Sequence, residues 1–377
     1  MAIYDSDPRI VLTLDAGGTS LRFSATRSNK PVVETVTLPT NADDLDRCLG
    51  NVIAGFTRVQ AQCPQPPVAI SFGFPGPADY PGGIIGDLPN LPAFRGGVAL
   101  GPMLEDHFGI PVFINNDGDL FAHGEAAAGF LPWVNAQLEK AGSPKRFNNL
   151  LGVTLGTGFG GGIVRNGELF EGDNSAAGEV WLLRNKLAPS MNAEEGACIR
   201  AVRRVYAELA ALPFEQTPTP QVIAQIARGE TPGNRAAALE SYRRLGEVAG
   251  DAMSNALTLI DGLAVIGGGI SKGSALFLPA LVDELNASYT SPAGVAFRRR
   301  STRAFNLEDP GQLAAFLKGE TREITTPGSL RKVKYDPLQR VGVGVSRLGT
   351  SEAVAIGAYA FALGKLSRSS GAVRPAA

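Results

Sequence analysis

Two stretches of this chain interrupt a strand-like run, turn on glycines and resume as strand. Val11-Leu12-Thr13-Leu14 leads into Asp15-Ala16-Gly17-Gly18-Thr19, and Leu21-Arg22-Phe23-Ser24-Ala25 follows. Leu151-Gly152-Val153-Thr154-Leu155 leads into Gly156-Thr157-Gly158-Phe159-Gly160-Gly161-Gly162, and Ile163-Val164 follows. Where no Cβ blocks the approach, backbone N–H groups can converge on an anion. One such turn is consistent with an ordinary hairpin. Two of them, one carrying an acid and both ending a hydrophobic strand, predict two jaws around a polyphosphate, and with them nucleotide-dependent phosphoryl transfer.

Between and beyond these turns, strands alternate with helices, which predicts the α/β class. Helical spacing appears over 43–62, 100–108, 119–129, 194–212, 221–228, 235–260, 274–287 and 352–366. Strands are expected over 33–38, 68–74, 111–115 and 263–266, whereas 288–348 reads as irregular, polar and rich in Arg, Thr and Gly. At 377 residues the chain is long enough for two domains, and the repeat of the glycine signature suggests two similarly built ones facing one cleft.

Charge and composition narrow the function classes. A net charge of -1 offers no electrostatic reason to bind nucleic acid or an anionic membrane, and the arginines at 298, 299, 300 and 303 read as a solvated loop. The three cysteines form no CxxC pair and no disulfide framework, which points to a reducing compartment. The two histidines exclude a multi-histidine metal site. With no 18-residue apolar run and no leader-like N-terminus, a soluble cytoplasmic protein is expected.

Asp117 is the first candidate for chemistry. The run Ile114-Asn115-Asn116-Asp117-Gly118-Asp119 puts a carboxylate just past a strand and at a helix start, where ligands of open α/β sheets bind. Phosphoryl transfer to an alcohol needs such a carboxylate to take the hydroxyl proton. Alternatively Asp117 or Asp119 merely caps the helix. Asp15, beside the first glycine turn, is placed to hold Mg²⁺ directly or through water while the amides of Gly17, Gly18 and Thr19 meet phosphate oxygens; the bland alternative is a turn-forming Asp. Gly267-Gly268-Gly269 after a short strand lets a purine or ribose lie against the backbone, or simply makes a strand-to-helix turn.

Together these residues resemble the ROK group (repressors, open reading frames and kinases) and the bacterial glucokinases of the actin-like ATPase superfamily. The resemblance covers most of residues 10–270 and the final helix. It implies two actin-like (ribonuclease H-like) α/β domains flanking a nucleotide and sugar cleft. The small domain would be 1–117 completed by 350–368, the large one 118–349 with 288–348 as an irregular insertion, and 369–377 a flexible tail. It implies ATP and Mg²⁺, with Asp15, Gly17, Gly18, Thr19, Gly156, Thr157, Gly158, Gly160, Gly267, Gly268 and Gly269 on the nucleotide and Asp15 near the metal. Asp117 would be the general base for a sugar hydroxyl, most simply the 6-OH of a hexose or hexose derivative. Gly76, Asn90, Asn116 and Glu179 would face the sugar, and the family implies a homodimer through the large domain.

The chain leaves the family pattern at the sugar wall. Where the family reads Glu-x-Gly-His, this chain reads Glu179-Val180-Trp181-Leu182, and the Cys-x-Cys-Gly-x-x-Gly-Cys zinc cluster has shrunk to Cys198. No zinc is therefore expected, since one thiol without a nearby histidine cannot build a tetrahedral site. A second family glutamate falls at Arg200; Glu194 or Glu195 can stand in, with Glu195 preferred. Trp181 either stacks on a sugar face or fills the volume of the missing module. The chief rivals to a kinase are a sugar-sensing repressor, for which no helix-turn-helix precedes Asp15, and a catalytically silent sugar-binding protein.

Overall fold

The computed structural model describes residues 3–88 and 91–369. They divide into two compact units, one of residues 3–88, 91–132, 162–177 and 347–369, the other of 133–161 and 178–346.

The first unit is built on a twisted sheet. Its elements are β1 (Val11–Ala16), β2 (Ser20–Arg27), β3 (Lys30–Pro31), β4 (Val36–Pro39), α1 (Leu45–Gln62), β5 (Ala69–Gly73), β6 (Ala78–Asp79), β7 (Ile84–Ile85), α2 (Leu100–Phe108), β8 (Val112–Asn115) and α3 (Asp117–Ala127). The strand order is β3-β2-β1-β5-β8, with β4 on β2. β1 and β2 are antiparallel, whereas β1, β5 and β8 run parallel. Alternation along β1 decides the faces. Leu12 and Leu14 join Phe23, Phe56 and Phe72 in a core under α1, while Val11 packs with Ala69, Ile356 and Tyr359 on the opposite face. Each fully buried ring of this kind contributes about 2 kcal/mol.

That opposite face is closed by α3 and by the last helix. α4 (Phe130–Lys140) leads into the second unit, β9 (Leu150–Leu155) belongs to it, and β10 (Phe159–Arg165) starts there and continues into the first unit, where it pairs with β11 (Glu168–Leu169). The second unit then carries α5 (Ile199–Ala210), α6 (Pro220–Arg228), α7 (Arg235–Ile260), β12 (Leu263–Gly267), α8 (Ser274–Leu285), β13 (Ser288–Thr290), β14 (Ala296–Arg298), β15 (Arg303–Asn306), α9 (Pro310–Lys318), β16 (Arg322–Thr325), β17 (Lys332–Tyr335) and β18 (Arg340–Val345). β9, β12, β18 and β15 pair in that order, all parallel.

The final helix, α10 (Thr350–Ser369), returns to the first unit. It crosses α3 at glycine contacts so close that a Cβ on Gly124 would overlap the Ala353 carbonyl and one on Gly357 the Leu120 carbonyl. The buried Glu125 carboxylate secures the junction by accepting N–H bonds from Phe130 at 2.8 Å, Arg347 at 3.3 Å and Leu348 at 3.2 Å.

Several expectations need correction. Residues 288–348 are not irregular: they contain β15 and β18, two of the four parallel strands of the second unit, and α9, capped by Asp309 with Pro310 in its first turn. Arg340 opens β18 fully buried, paired with Asp336 at 2.6 Å, and of the arginines expected in a solvated loop Arg300 is buried and the Arg299 side chain is buried against Glu284 and Asp251. The expected helix over 194–212 is a short 3₁₀ turn at Ala193–Gly196 followed by α5. α10 runs to Ser369, and the rest of the expected tail lies outside the described residues. The three cysteines are free, and no helix among the described residues is long and apolar enough to cross a membrane.

Candidate active site

In the first unit the ladder itself assembles the acids. Asp15 of β1 is level with Gly73 of β5, and Gly73 with Asn115 of β8. Because the three strands are parallel, their carboxyl ends bring Asp15, the Gly73-to-Pro77 turn and Asn115-Asn116-Asp117 to one edge of the sheet, where a ligand would be expected.

The helix after β8 settles which residue caps it. Asn116 is the N-cap: its side-chain oxygen accepts the Gly118 N–H at 2.8 Å, and Asp117 is the first helical residue. Asp117 Oδ1 also accepts from Gly118, at 2.9 Å, but the capping duty belongs to its neighbour. The Asp117 surface is open to solvent while the protein mass crowds it closely. That burial, aided by the charge of Asp15, raises the proton affinity of its carboxyl above the usual range, although the Gly118 N–H pulls the other way. A carboxyl raised in this way is suited to accept a proton and release it again.

Sequence reasoning missed Tyr80. Its hydroxyl donates to the Phe74 carbonyl at 2.9 Å and accepts from Asn116 Nδ2 at 3.5 Å, so it joins the proline turn to the Asn-Asp pair. A lone tyrosine after Pro-Gly-Pro was the available signal. Gly76 sits on that turn against the same hydroxyl, its Cβ position 3.2 Å away. Asn90, the other expected residue of this side, lies outside the described residues.

The first glycine turn is exposed and lightly held. Gly17 N–H bonds the Ser20 carbonyl at 3.0 Å, and Thr40 Oγ1 donates to the Gly17 carbonyl at 2.6 Å. Asp15 borders an open cleft of 340 Å³ in this unit, lined also by Thr13, Arg22, Ser24 and Glu352. Among the described residues Asp15 is in no ion pair. An exposed carboxylate of this kind beside a glycine turn has the chemistry to fit Mg²⁺, which takes one or two carboxylates and otherwise phosphate oxygens and water.

In the second unit, Gly156 and Thr157 form a turn whose Gly156 N–H bonds the Gly158 carbonyl at 3.0 Å. Glu194 reaches into it, its Oε2 accepting the Phe159 N–H at 3.0 Å. Glu195, expected at the sugar, has its carboxylate held by Arg200 at 3.0 Å and Arg204 at 3.0 Å, and these hydrogen bonds keep its proton affinity below the usual range. Gly160 follows at the start of β10. Glu179 accepts the indole N–H of Trp181, a link that neither reading of Trp181 foresaw. Among the described residues no three His, Cys, Asp or Glu side chains gather to hold a metal.

The glycines expected at the nucleotide differ in what they are for. Gly268 has φ +84° and lies so close to β9 that a Cβ would overlap the Leu155 carbonyl, so packing alone demands it. Gly18, Gly156 and Gly269 are the reverse: φ is not left-handed, and a Cβ would meet nothing within 4 Å. Like the surface-helix residue Gly50 they have neither reason, and they occupy three separate turns. Gly267 closes β12 just before Gly268 and Gly269.

The sequence profile of the ROK family matches residues 11–306. A glucokinase from Parabacteroides distasonis ATCC 8503, known as a crystal structure, is 55% identical with a TM-score of 0.87, covering 96% of this chain and 99% of that one. An N-acetyl-D-glucosamine kinase of Photobacterium profundum is 29% identical over 282 residues, which is 70% of this chain and 85% of the relative. A ROK family glucokinase from Streptomyces griseus, solved in complex with glucose and AMPPNP, shares the actin-like fold at 19% identity and TM-score 0.57, covering 93% of this chain and 98% of that one.

Proposed function

The chain belongs to the ROK family, and on that premise we propose that it moves the γ-phosphoryl group of ATP onto the 6-hydroxyl of a glucose-like hexose, with Asp117 as general base. It is an ATP-dependent carbohydrate kinase, supported along its whole length by the similarity to the Parabacteroides glucokinase. The observation that carries the finer reading is Asp117, two residues past the point where β8 is level with Asp15 and raised in proton affinity by burial and by Asp15.

Asp117 accepts the hydroxyl proton as the oxygen attacks in line, and Asn116, steadied by Tyr80, orients the acceptor. Gly18 and Gly156 leave room for phosphate oxygens to approach backbone N–H groups, and Gly269 leaves room for the nucleoside. Mg²⁺ carried by the nucleotide neutralises phosphate charge when bound, and Asp15 is the residue that would hold it. On the sugar side, Trp181 orients Glu179 through its indole N–H.

A coupled ADP-release assay over glucose, N-acetylglucosamine and mannose tests this reading. Turnover with one of the first two is expected, and loss of about 10²–10⁴ in kcat in Asp117→Asn with sugar affinity kept. Sugar binding by calorimetry without turnover on any of them would favour a silent sugar-binding protein.

A further inference from the structure

Glu194 sits where an anion would sit. Its Oε2 takes the Phe159 N–H at 3.0 Å and lies 2.6 Å from where a Cβ on Gly158 would be, so it fills the inside of the second glycine turn. Left alone, that carboxylate would repel a triphosphate approaching the same turn.

Arg200 answers the charge. Its Nη2 bonds Glu194 Oε1 at 3.1 Å and Glu195 Oε1 at 3.0 Å, while Nη1 donates to the Thr157 carbonyl at 3.2 Å. Arg204 takes the second oxygen of Glu195 at 3.0 Å, which leaves Arg200 as the cation on Glu194. Ile199 N–H bonds the Gly156 carbonyl at 2.8 Å, so one short segment grips the turn at residues 156, 157 and 159. Arg200 is half exposed, and ion pairs of that kind add little to stability. A guanidinium fork can nevertheless reach two carboxylates and a carbonyl together, as an ammonium cannot.

We propose that Arg200 is a positioning residue for the nucleotide: it fixes the Thr157 carbonyl and neutralises Glu194, so that Glu194 shapes the phosphate turn without repelling the phosphates. This rests on the reading of the Gly156 turn as a nucleotide site.

The test uses the full chain, with KM values for ATP and sugar and nucleotide binding by calorimetry. Arg200→Met is expected to raise KM for ATP about tenfold while KM for sugar stays within about twofold. Adding Glu194→Gln removes the exposed negative charge and should recover ATP KM to within about threefold of wild type. An unchanged ATP KM in Arg200→Met, or a double variant as impaired as the single one, overturns the proposal. Should Arg200→Met fail to fold, Arg200→Lys keeps a cation beside Glu194 but cannot hold both carboxylates and the Thr157 carbonyl, and is expected to raise ATP KM about threefold; a cost of about tenfold or more there overturns charge neutralisation, and no cost overturns the positioning role. A wild-type chain that binds no nucleotide overturns the kinase reading and this inference with it, an outcome visible before any variant is made.

Discussion

Asp15 and Asp117 of the first unit and Glu194 and Glu195 of the second are both acidic pairs beside a glycine turn, and their surroundings are opposite. Among the described residues neither aspartate is in an ion pair, and the charge of Asp15 helps to raise the proton affinity of Asp117. The glutamates share Arg200 and Arg204, and Glu195 is correspondingly held below the usual range. An uncompensated pair is costly to keep ionised and ready to take a proton; a compensated pair holds a backbone in place. Similar sequence signals therefore mark acids in opposite electrostatic surroundings, which on the proposed reading serve chemistry in one unit and support in the other.

The sharpest way to break this contrast is to remove one acid from each pair. Asp117→Asn should lower kcat by about 10³-fold, whereas Glu194→Gln should change it by no more than about threefold. Comparable losses in both, read in the same ADP-release assay, would erase the distinction.

Glycines sharpen it next. Gly18→Val and Gly156→Val should weaken ATP binding about tenfold in calorimetry while leaving Tm nearly unchanged, because nothing lies within 4 Å of either Cβ. Gly268→Ala should instead destabilise the fold by about 2 kcal/mol or more in denaturant unfolding, through its left-handed φ and the Leu155 carbonyl. Trp181→Phe, which removes the N–H on Glu179, should raise the KM for sugar about threefold and leave that for ATP alone.

The smallest effects concern protons. In a carboxyl-carbon NMR titration of the nucleotide-free protein, Asp15→Asn should move the Asp117 transition to lower pH, since a repelling charge is gone. A transition that stays in place would mean that Asp15 is not felt. The same raised proton affinity has a stability sign. A carboxyl whose folded value is raised favours the fold below its ordinary value of 3.8 and loses that contribution as pH rises through the folded value. Asp117→Asn should therefore melt slightly higher than wild type near pH 7, by no more than about 2 °C given the solvent access, and the gap should close as the pH falls toward 3.8.

Much of this is legible in residue order. α2 and α7 span the residues their periodicity marks, because their apolar stripes and their ends agree: Gly109 closes α2 in a left-handed conformation, and Asn234 caps α7. The glycine turns and Asn116-Asp117 are legible because strand, turn and helix start lie within a dozen residues. β15 and β18 are not, since parallel strands gain their burial from neighbours far along the chain, and Arg340 disguises its strand until Asp336 is seen beside it. The Arg200 contacts are hidden for a similar reason. A charge five or six residues from two glutamates reads as a solvated helix face, and only the fold shows that it points at the Thr157 carbonyl. The Asp309-Pro310 start of α9, by contrast, is a readable signal that the polar composition around it obscures.

The glycine crossing of α3 and α10 has a consequence for synthesis. Asp15 and Asp117 are both translated well before the helix that seats α3, through Gly124, Gly357 and the Glu125 links to Arg347 and Leu348. A nascent or prematurely terminated chain thus holds its acids and both glycine turns without the brace beneath them. A chain cut short before Thr350 is therefore expected to lack kinase activity, because α3 has nothing to seat against.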